Sequence, residues 1–480
     1  MVNLASTYRN QGRWKEAEEL QVQVMEMRKR VLGGEHPDTL TSMANLALTY
    51  GNQGRWKEAE ELEVQVMETS LKVLGEEHPD TLISIGNLAS TFSNQGRWKE
   101  AEKLQLHVQV METRKRVLRE EHPDTLSSMG GLASTYRIQG RWKEAKELEV
   151  QVMETSLRVL GEEHPGTLSS MGNLASTFSN QGRWKEAEKL FLQVMEARKR
   201  MLGEEHPDTL GSIANLASTY RNQGRWKEAE GLHVQVMETS LRVLREEHPD
   251  TLSSMGGLAS TYWNQGRWKE AEELDVHVME TSLKVLGGEH PGTLSSMGNL
   301  ASTFSNQGRW KEAEKLFLQV METSLRVLGE EHPDTLSSIA NLASTYGNQG
   351  RWKKAEELHV QVMETRKRVL REEHPDTLSS MGGLASTYRN QGRWEEAKEL
   401  EVQVMEARKR VLGEDHPSTL NSIANLAFTL KCQGRNEKAI LLMQKCFQLQ
   451  NQLLGSQHPD TETSFKALNK WQIEGMEIGL

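Results

Sequence analysis

Histidine is the residue type in this 480-residue chain whose placement first suggests chemistry. Eleven of its 15 histidines stand directly before a proline, at His36, His78, His122, His164, His206, His248, His290, His332, His374, His416 and His458, and all 11 prolines belong to such pairs. A row of imidazoles could hold metal. A zinc site needs about four ligands converging near 2 Å, whereas copies on successive helix pairs would stand on the order of 10 Å apart. The His-Pro pair is therefore expected to be a loop and helix-start device, and no metal or other cofactor is expected. The remaining histidines, His107, His233, His277 and His359, read as scattered surface or interfacial groups.

Other groups have an equally plain reading. The Arg-Trp pairs from Trp14 to Trp394 could cage a ligand or stack on bases, but each tryptophan stands three residues before an alanine at a helix start and is expected to pack in the core. Methionines such as Met67 and Met153 are expected to fill gaps between helices. Trp263 sits where other copies carry Arg, Gly, Ser or Lys, so the fold does not demand it. The basic runs at Arg28-Lys29-Arg30, Arg114-Lys115-Arg116, Arg198-Lys199-Arg200, Arg366-Lys367-Arg368 and Arg408-Lys409-Arg410 lie near helix C-termini, where the dipole favours cations, and read as solvated faces. Glu58, Glu60 and Glu61 suit an exposed side, and Cys432 and Cys446 read as free thiols. No nucleophile–base pair or phosphate-binding glycine loop recurs, so an enzyme is not expected.

The elements that carry these residues follow from the punctuation. The His-Pro pairs recur every 42 residues, with one interval of 44 between His78 and His122, and Gln-Gly-Arg recurs on the same beat, with glycines from Gly12 to Gly434. Such regularity marks a repeat array. Leu40, Met43, Leu46, Ala47 and Tyr50 trace one helical face, ended by Gln53-Gly54. Trp56, Ala59, Leu62, Val66, Val73 and Leu74 trace a second, stopped by Gly75. Pro79 and Asp80 then suit the first turn of the next helix. No stretch alternates with period two, so strands are not expected. Burying about eight or nine side chains per unit at roughly 2 kcal/mol each does not offset ordering 42 residues at about 1.5 kcal/mol each. The units must stack into one continuous solenoid.

Charge and hydropathy bound the class. Lys+Arg is 58 and Asp+Glu is 68, a net charge of −10. Nucleic-acid binders depend on clustered basic charge, so no nucleic-acid partner is expected. No run approaches about 18 apolar residues, so no membrane partner is expected. The first residues lack a basic stretch followed by an apolar core, and only two cysteines occur, which points to the cytoplasm.

Asn45-Leu46-Ala47-x-x-Tyr50, Gln53-Gly54-Arg55-Trp56-Lys57-Glu58-Ala59-Glu60 and Val73-Leu74-Gly75-x-x-His78-Pro79-Asp80 together resemble the tetratricopeptide repeat (TPR), in the 42-residue form of kinesin light chains. The uniform copies also resemble the arrays at the C-terminus of fungal NACHT or NB-ARC (NOD-like) proteins. The resemblance implies an all-α, right-handed superhelix of antiparallel helix pairs whose first helices line a concave, peptide-binding groove. Residues 1–461 are expected to form eleven tandem units, the first truncated and the third carrying two extra residues, with 462–480 a degenerate capping helix and tail. Two residues rotate a helix by about 200°, so a bulge or kink is expected between Leu104 and Gln109. Because the first unit lacks its opening turn, the chain reads as a fragment, or as a gene that lost its front.

Variation between copies is where ligand choice would be encoded. The position after the first helix's aromatic reads Arg9, Gly51, Ser93, Arg137, Ser179, Arg221, Trp263, Ser305, Gly347, Arg389 and Lys431. A second varied position, on the second helix, reads Glu63, Glu149, Phe191, His233, Asp275, Phe317, His359 and Glu401. Asparagine precedes Leu-Ala at Asn3, Asn45, Asn87, Asn173, Asn215, Asn299, Asn341 and Asn425, but glycine replaces it at Gly131, Gly257 and Gly383, inside a Met-Gly-Gly-Leu run that recurs every 126 residues. In peptide-binding TPRs this asparagine holds the ligand backbone, since an amide both donates and accepts. The resemblance thus implies a protein–protein interaction scaffold whose peptide ligand carries acidic or aromatic residues, read by Arg9, Arg137, Arg221, Trp263, Arg389 and Lys431. A ligand-sensing array of a NOD-like NTPase is the alternative, and an RNA-reading helical repeat a distant one.

Overall fold

The computed structural model describes residues 1–97 and 106–478. Every regular element among them is an α-helix, and the helices alternate strictly between two kinds. Pro37–Asn52 and Trp56–Leu74 are one pair; the pattern repeats to Pro417–Cys432 and Asn436–Leu453, and Pro459–Ile478 closes the described chain. The chain is a right-handed superhelix of antiparallel pairs, as the repeat predicts. The bulge expected between Leu104 and Gln109 falls largely outside the described residues; from Leu106 to Leu118 the helix is regular.

Each first helix starts at its His-Pro pair for a reason visible in the atoms. The backbone N–H of Asp38 donates to Nδ1 of His36 (3.1 Å), and Pro37 occupies the first turn, where its missing N–H costs nothing. Thr39, fully buried, donates to the carbonyl of Gly33 and ties the loop to the helix it leaves. Leu40, Met43, Leu46 and Ala47 are buried. In the second helix Ala59 and Val66 are buried, but Val73 is exposed. It lies in the last turn, beyond the overlap with neighbouring helices. The left-handed residue after this helix is Gly75 here, yet an arginine takes that conformation at Arg119, Arg245 and Arg371.

Neighbouring units share one core. Leu300, Phe304, Phe317, Leu342 and Tyr346, drawn from successive units, form a single buried cluster. The Gln-Gly-Arg-Trp turn adds a polar clamp. Gln53 and Arg55 both donate to Glu18 of the preceding unit (2.8 Å each), while the Arg55 guanidinium lies 4.1 Å over the Tyr50 ring. Glu60, Glu188, Glu230, Glu272, Glu314 and Glu356 receive the same pair of donors from their following units. Glu60 is thus a clamp residue rather than a member of a solvated face. The basic runs are corrected in the same way. Arg114 and Arg366 are buried, and Arg366 donates to the Asp376 carbonyl and Ser380 of the next unit. The third residue of the run reaches back instead, as Arg116 does to Glu77 and Arg410 to Glu373.

Successive first helices also touch one another, as Pro207–Asn222 does Pro249–Asn264, so they lie on the inner side of the curve. The curve closes on itself after six units. The ring of His290, its Nδ1 occupied by the N–H of Gly292, keeps its proton on Nε2 and donates it to the carbonyl of Asn52, 238 residues earlier (3.0 Å). His332, His374 and His416 make the same bond to Asn94, Ile138 and Asn180 (3.1, 3.1 and 3.2 Å). The imidazoles also stack on tryptophans of the earlier turn, His290 on Trp14, His416 on Trp142 and His458 on Trp184. Burial pushes His290 and His416 below the ordinary imidazole range, in keeping with the neutral form. The tryptophans are therefore seam residues more than core: their rings sit at the rim of each unit, and Trp310 and Trp394, which stack on no histidine among the described residues, are exposed. Beside these bonds an open cleft of about 2070 Å³ runs between the turns, bordered by Arg13, Glu16, Glu247 and Arg326.

The seam gives the turn glycines a second duty. A Cβ on Gly182 would lie 2.6 Å from Cδ of Pro417, whereas one on Gly308 would meet open space; both have positive φ (+68° and +77°). Gly182→Ala and Gly308→Ala therefore share the backbone strain, but only the first drives an atom into the seam. Gly182→Ala should cost about 1–3 kcal/mol more than Gly308→Ala in denaturant titrations, and equal costs would refute a seam under load. The clamp is testable where it fails. Lys146 occupies the clamp position, so Gln181 bonds only the Trp142 carbonyl across the unit boundary and Arg183 keeps only the bond to Glu186 that copies with an intact clamp also make, as Arg55 does to Glu58. Lys146→Glu should restore the clamp and stabilise the chain by about 0.5–1 kcal/mol, read as a higher denaturation midpoint.

Candidate peptide-binding face

The inner surface is built from the exposed stripe of the first helices. Asn3, Asn173, Asn215, Asn299, Asn341 and Asn425 are exposed there, and Asn45 and Asn87 half-buried. The row is therefore open to a ligand over most of its length. Arg9, Arg137, Arg221, Trp263, Arg389 and Lys431 follow one and a half turns later and are half-buried in the wall.

The second varied position is not exposed, which corrects the expectation that it reads a ligand directly. Glu63, Glu149, Phe191, His233, Asp275, Phe317, His359 and Glu401 are all buried. The tight turn folds each of them back beneath the varied residue twelve positions earlier. Two such pairs interact directly, Arg221 with His233 and Arg389 with Glu401. The Arg389 guanidinium bonds Glu401 at 3.3 Å and the Asn425 carbonyl at 3.4 Å. Trp263 packs edge-on to Trp268, its indole N–H buried without a partner. Lys431 is already engaged, paired with Glu474 and lying over Trp471 of the last helix (2.9 and 5.8 Å). Arg137 reaches only Ser134 (3.3 Å).

Arg221, like Arg9 and Arg137 and unlike Arg389, makes no hydrogen bond or ion pair to any carboxylate among the described residues, and burial pushes its pKa down. The ring beneath it, His233, is itself held near 4 by burial and by the Arg221 charge. A half-buried cation over a neutral imidazole leaves positive potential at the wall, unlike the Arg389–Glu401 pair.

The glycines that interrupt the asparagine row are explained by the same buried layer. A Cβ on Gly257 would lie 2.9 Å from Cε1 of His233 in the preceding unit, and one on Gly383 would lie 3.0 Å from Cε1 of His359. The histidine fills the space that an asparagine's Cβ would need. His233 and His359 are therefore buried packing residues between units and not surface groups; His277, half-exposed and paired with Glu246, is the surface case. The signal was present in the sequence, because His107, His233 and His359 share the 126-residue period of Gly131, Gly257 and Gly383.

With this geometry in hand, comparison with known proteins is decisive. One tetratricopeptide-repeat profile matches residues 1–72, 53–108, 209–275, 254–324, 303–368, 334–410 and 376–452, and a second matches 125–166 and 167–208. The chain belongs to the tetratricopeptide repeat family. Among solved structures it is similar to a putative kinesin light chain with nearly identical TPR-like repeats from Podosopora anserina, at 36% identity over 43% of this chain and 98% of that one, with a TM-score of 0.38. It is also similar to a Rap protein complexed with Competence and Sporulation Factor, at 11% identity over 78% of this chain and 99% of that one, with a TM-score of 0.53, a likeness of fold. The yeast Tom70 structure matches at 12% identity over 99% of this chain and 95% of that one, with a TM-score of 0.45. A search of curated proteins returned no match. A TPR scaffold is a protein-interaction fold. No helix among the described residues is long and apolar enough to cross a membrane.

The buried layer makes the scaffold's stability depend on pH. Burial pushes Glu63 up to about 7, against the opposing pull of the Thr91 hydroxyl. The folded state keeps this proton where the unfolded chain has lost it, so stability falls as pH rises from about 4.5 to 7. Glu63→Gln removes the ionisable group at nearly constant shape. It should raise the unfolding free energy by about 1–3 kcal/mol at pH 8, read from denaturant titrations, and change it little at pH 5. An equal effect at both pH values would mean the carboxyl is not titrating in the core.

Proposed function

We propose that this TPR array binds an extended peptide segment along its inner face, and that an acidic side chain of the segment pairs with Arg221. Residues 1–461 act as the binding array and 462–480 as its cap. The exposed asparagines hold the ligand main chain through paired amide bonds. The observation that carries the reading is the half-buried Arg221 guanidinium with no carboxylate of its own. A ligand carboxylate would complete a charge-assisted bond in a partly desolvated wall, where such bonds are strongest. Arg389, already answered by Glu401, and Lys431, answered by Glu474, contribute less. Arg9, Arg137 and Trp263 extend the same wall along the coil. The family match supports a protein or peptide partner, and the Rap structure is of a protein of this fold complexed with a factor.

The test is a fluorescence-anisotropy screen with a library of labelled 12-residue peptides carrying one glutamate at stepped positions. Peptides that bind should lose about five- to tenfold in affinity on Arg221→Gln and about twofold or less on Arg389→Gln, with both melting temperatures within a degree or two of the parent. Equal losses for the two variants, or binding indifferent to the peptide's glutamate, would overturn the assignment.

A further inference from the structure

Arg221 and Arg389 occupy the same place in their units, and each stands over a buried residue twelve positions on. Beneath Arg221 that residue is His233, a neutral ring that cannot answer the cation. Beneath Arg389 it is Glu401, which can. The bond they make is a loose one. Nη1 of Arg389 stands 3.3 Å from a carboxylate oxygen of Glu401, where charge-assisted bonds ordinarily measure about 2.7–2.9 Å. The other contacts of the guanidinium, to the Asn425 carbonyl (3.4 Å) and the Ser386 hydroxyl (3.5 Å), are longer still. The second oxygen of Glu401 is buried with no hydrogen-bond partner among the described residues. A carboxylate so placed is half satisfied, and an incompletely paired buried charge is costly. Its surroundings bring no further charge. The equivalent residue of the preceding second helix is His359, which burial holds neutral with a pKa near 4, and that of the following second helix is the fully buried Met443. The following first helix offers the Thr429 hydroxyl, and Arg389, on the first helix of the same unit, supplies the one charge that acts on Glu401.

We propose that Glu401 is a proton-operated gate on a second anion site at Arg389: the ionised carboxylate answers the arginine from within, and the neutral carboxyl leaves it free for an acidic side chain of the ligand. The inference rests on the peptide-binding reading and gives the same face a second, conditional contact. The step is an exchange of partners. A proton from solvent binds Glu401, the internal ion pair is lost, and the ligand carboxylate takes over the guanidinium, whose side chain is 20% exposed at the wall. Glu401 acts through Arg389 and does not itself touch the ligand, so it is a positioning residue. Burial pushes its pKa up to about 7, against the opposing pull of Thr429 and Arg389. The site therefore opens as pH falls through 7, in a range where a ligand glutamate, with a pKa of about 4.3, stays ionised. The neutral form is about one tenth of the population at pH 8 and about nine tenths at pH 6, so apparent affinity through Arg389 should rise about tenfold between them. Because the open site is the protonated one, a ligand that binds there above pH 7 draws a proton in with it. Arg221 has no such gate, since His233, held near 4, stays neutral throughout the same range.

The experiment titrates the 480-residue chain with the glutamate-bearing peptides at pH 6 and pH 8. At pH 6 some of them should lose about five- to tenfold in affinity on Arg389→Gln, and the same peptides should lose about twofold or less at pH 8. For these peptides the parent chain should bind about tenfold more tightly at pH 6 than at pH 8. Glu401→Gln fixes the neutral form at nearly constant shape, so it should bring the pH 8 affinity to the pH 6 value and abolish the dependence. Calorimetry at pH 7.5 in buffers of different ionisation enthalpy should show a fraction of a proton taken up by the parent and none by Glu401→Gln. Peptides weakened by Arg221→Gln but by Arg389→Gln at neither pH would overturn the gate and leave the Arg221 contact standing. So would a Glu401→Gln chain that keeps the parent's pH dependence. A further measurement needs no ligand: the rate at which phenylglyoxal, an arginine reagent, modifies each guanidinium at pH 8, mapped by mass spectrometry. Arg389 should react severalfold faster in Glu401→Gln than in the parent, with Arg221 unchanged as the internal reference, and equal Arg389 rates would overturn the gate. Should no peptide bind at all, the peptide-binding reading falls and these rates still decide whether Glu401 holds Arg389. Should Glu401→Gln misfold, the pH series of the parent chain against Arg389→Gln decides.

Discussion

In the second turn of the coil each imidazole of the His-Pro pairs serves two helices at once, and the joining of the two turns depends on that double use. One ring nitrogen accepts from the backbone of its own helix, which starts the helix and fixes the tautomer. The other nitrogen is then obliged to donate, and in the second turn it finds a carbonyl six units back. The same ring that caps a helix thus also joins units six apart. From Gly12 to Gly182 the glycine of the Gln-Gly-Arg turn is required twice over, by its left-handed backbone and by the proline that lies against it.

Beneath this seam, stability is shared out between neighbours. Apolar residues from successive units form joint clusters, and the Gln and Arg of each turn close on a glutamate of the unit before. A unit is thus defined less by its own contents than by what it leaves unsatisfied for the next one. Where a lysine stands in place of the glutamate the clamp is locally lost without disturbing the helices: at Lys146 the donors gain no replacement, and at Lys398 they turn to Glu395.

Much of this was legible in the sequence. The 42-residue beat, the apolar faces around Leu40 and Ala59, and the glycine stops all correspond to observed helices, because each depends on interactions within about one unit. The failures share a cause. Trp14 stacks on a histidine 276 residues away, a separation that no local period exposes. The residues from Glu63 to Glu401 vary as surface residues do, yet lie buried, since each unit tolerates a different side chain provided its neighbours adjust. The exchange of asparagine for glycine interrupts the asparagine row. It is the space made for His233 and His359 from the preceding unit, and three-unit periodicity in both positions was the clue. In the candidate site, the placement of Arg221 could be anticipated, but its lack of a counter-charge could not, because the partner position lies on another helix.

The seam also gives the molecule a mechanical character. Its bonds run between turns, roughly one per unit, and each is far weaker than the packed interface between successive helix pairs. Pulled along its axis, such a coil would yield first by parting its turns, one latch after another, while every helix pair stayed intact. Released, the latches would re-form in register, because each histidine keeps its outward donor. The array is in this respect a closed spring, stiff at small loads and compliant beyond them, whose rest length is written in the spacing of its His-Pro pairs.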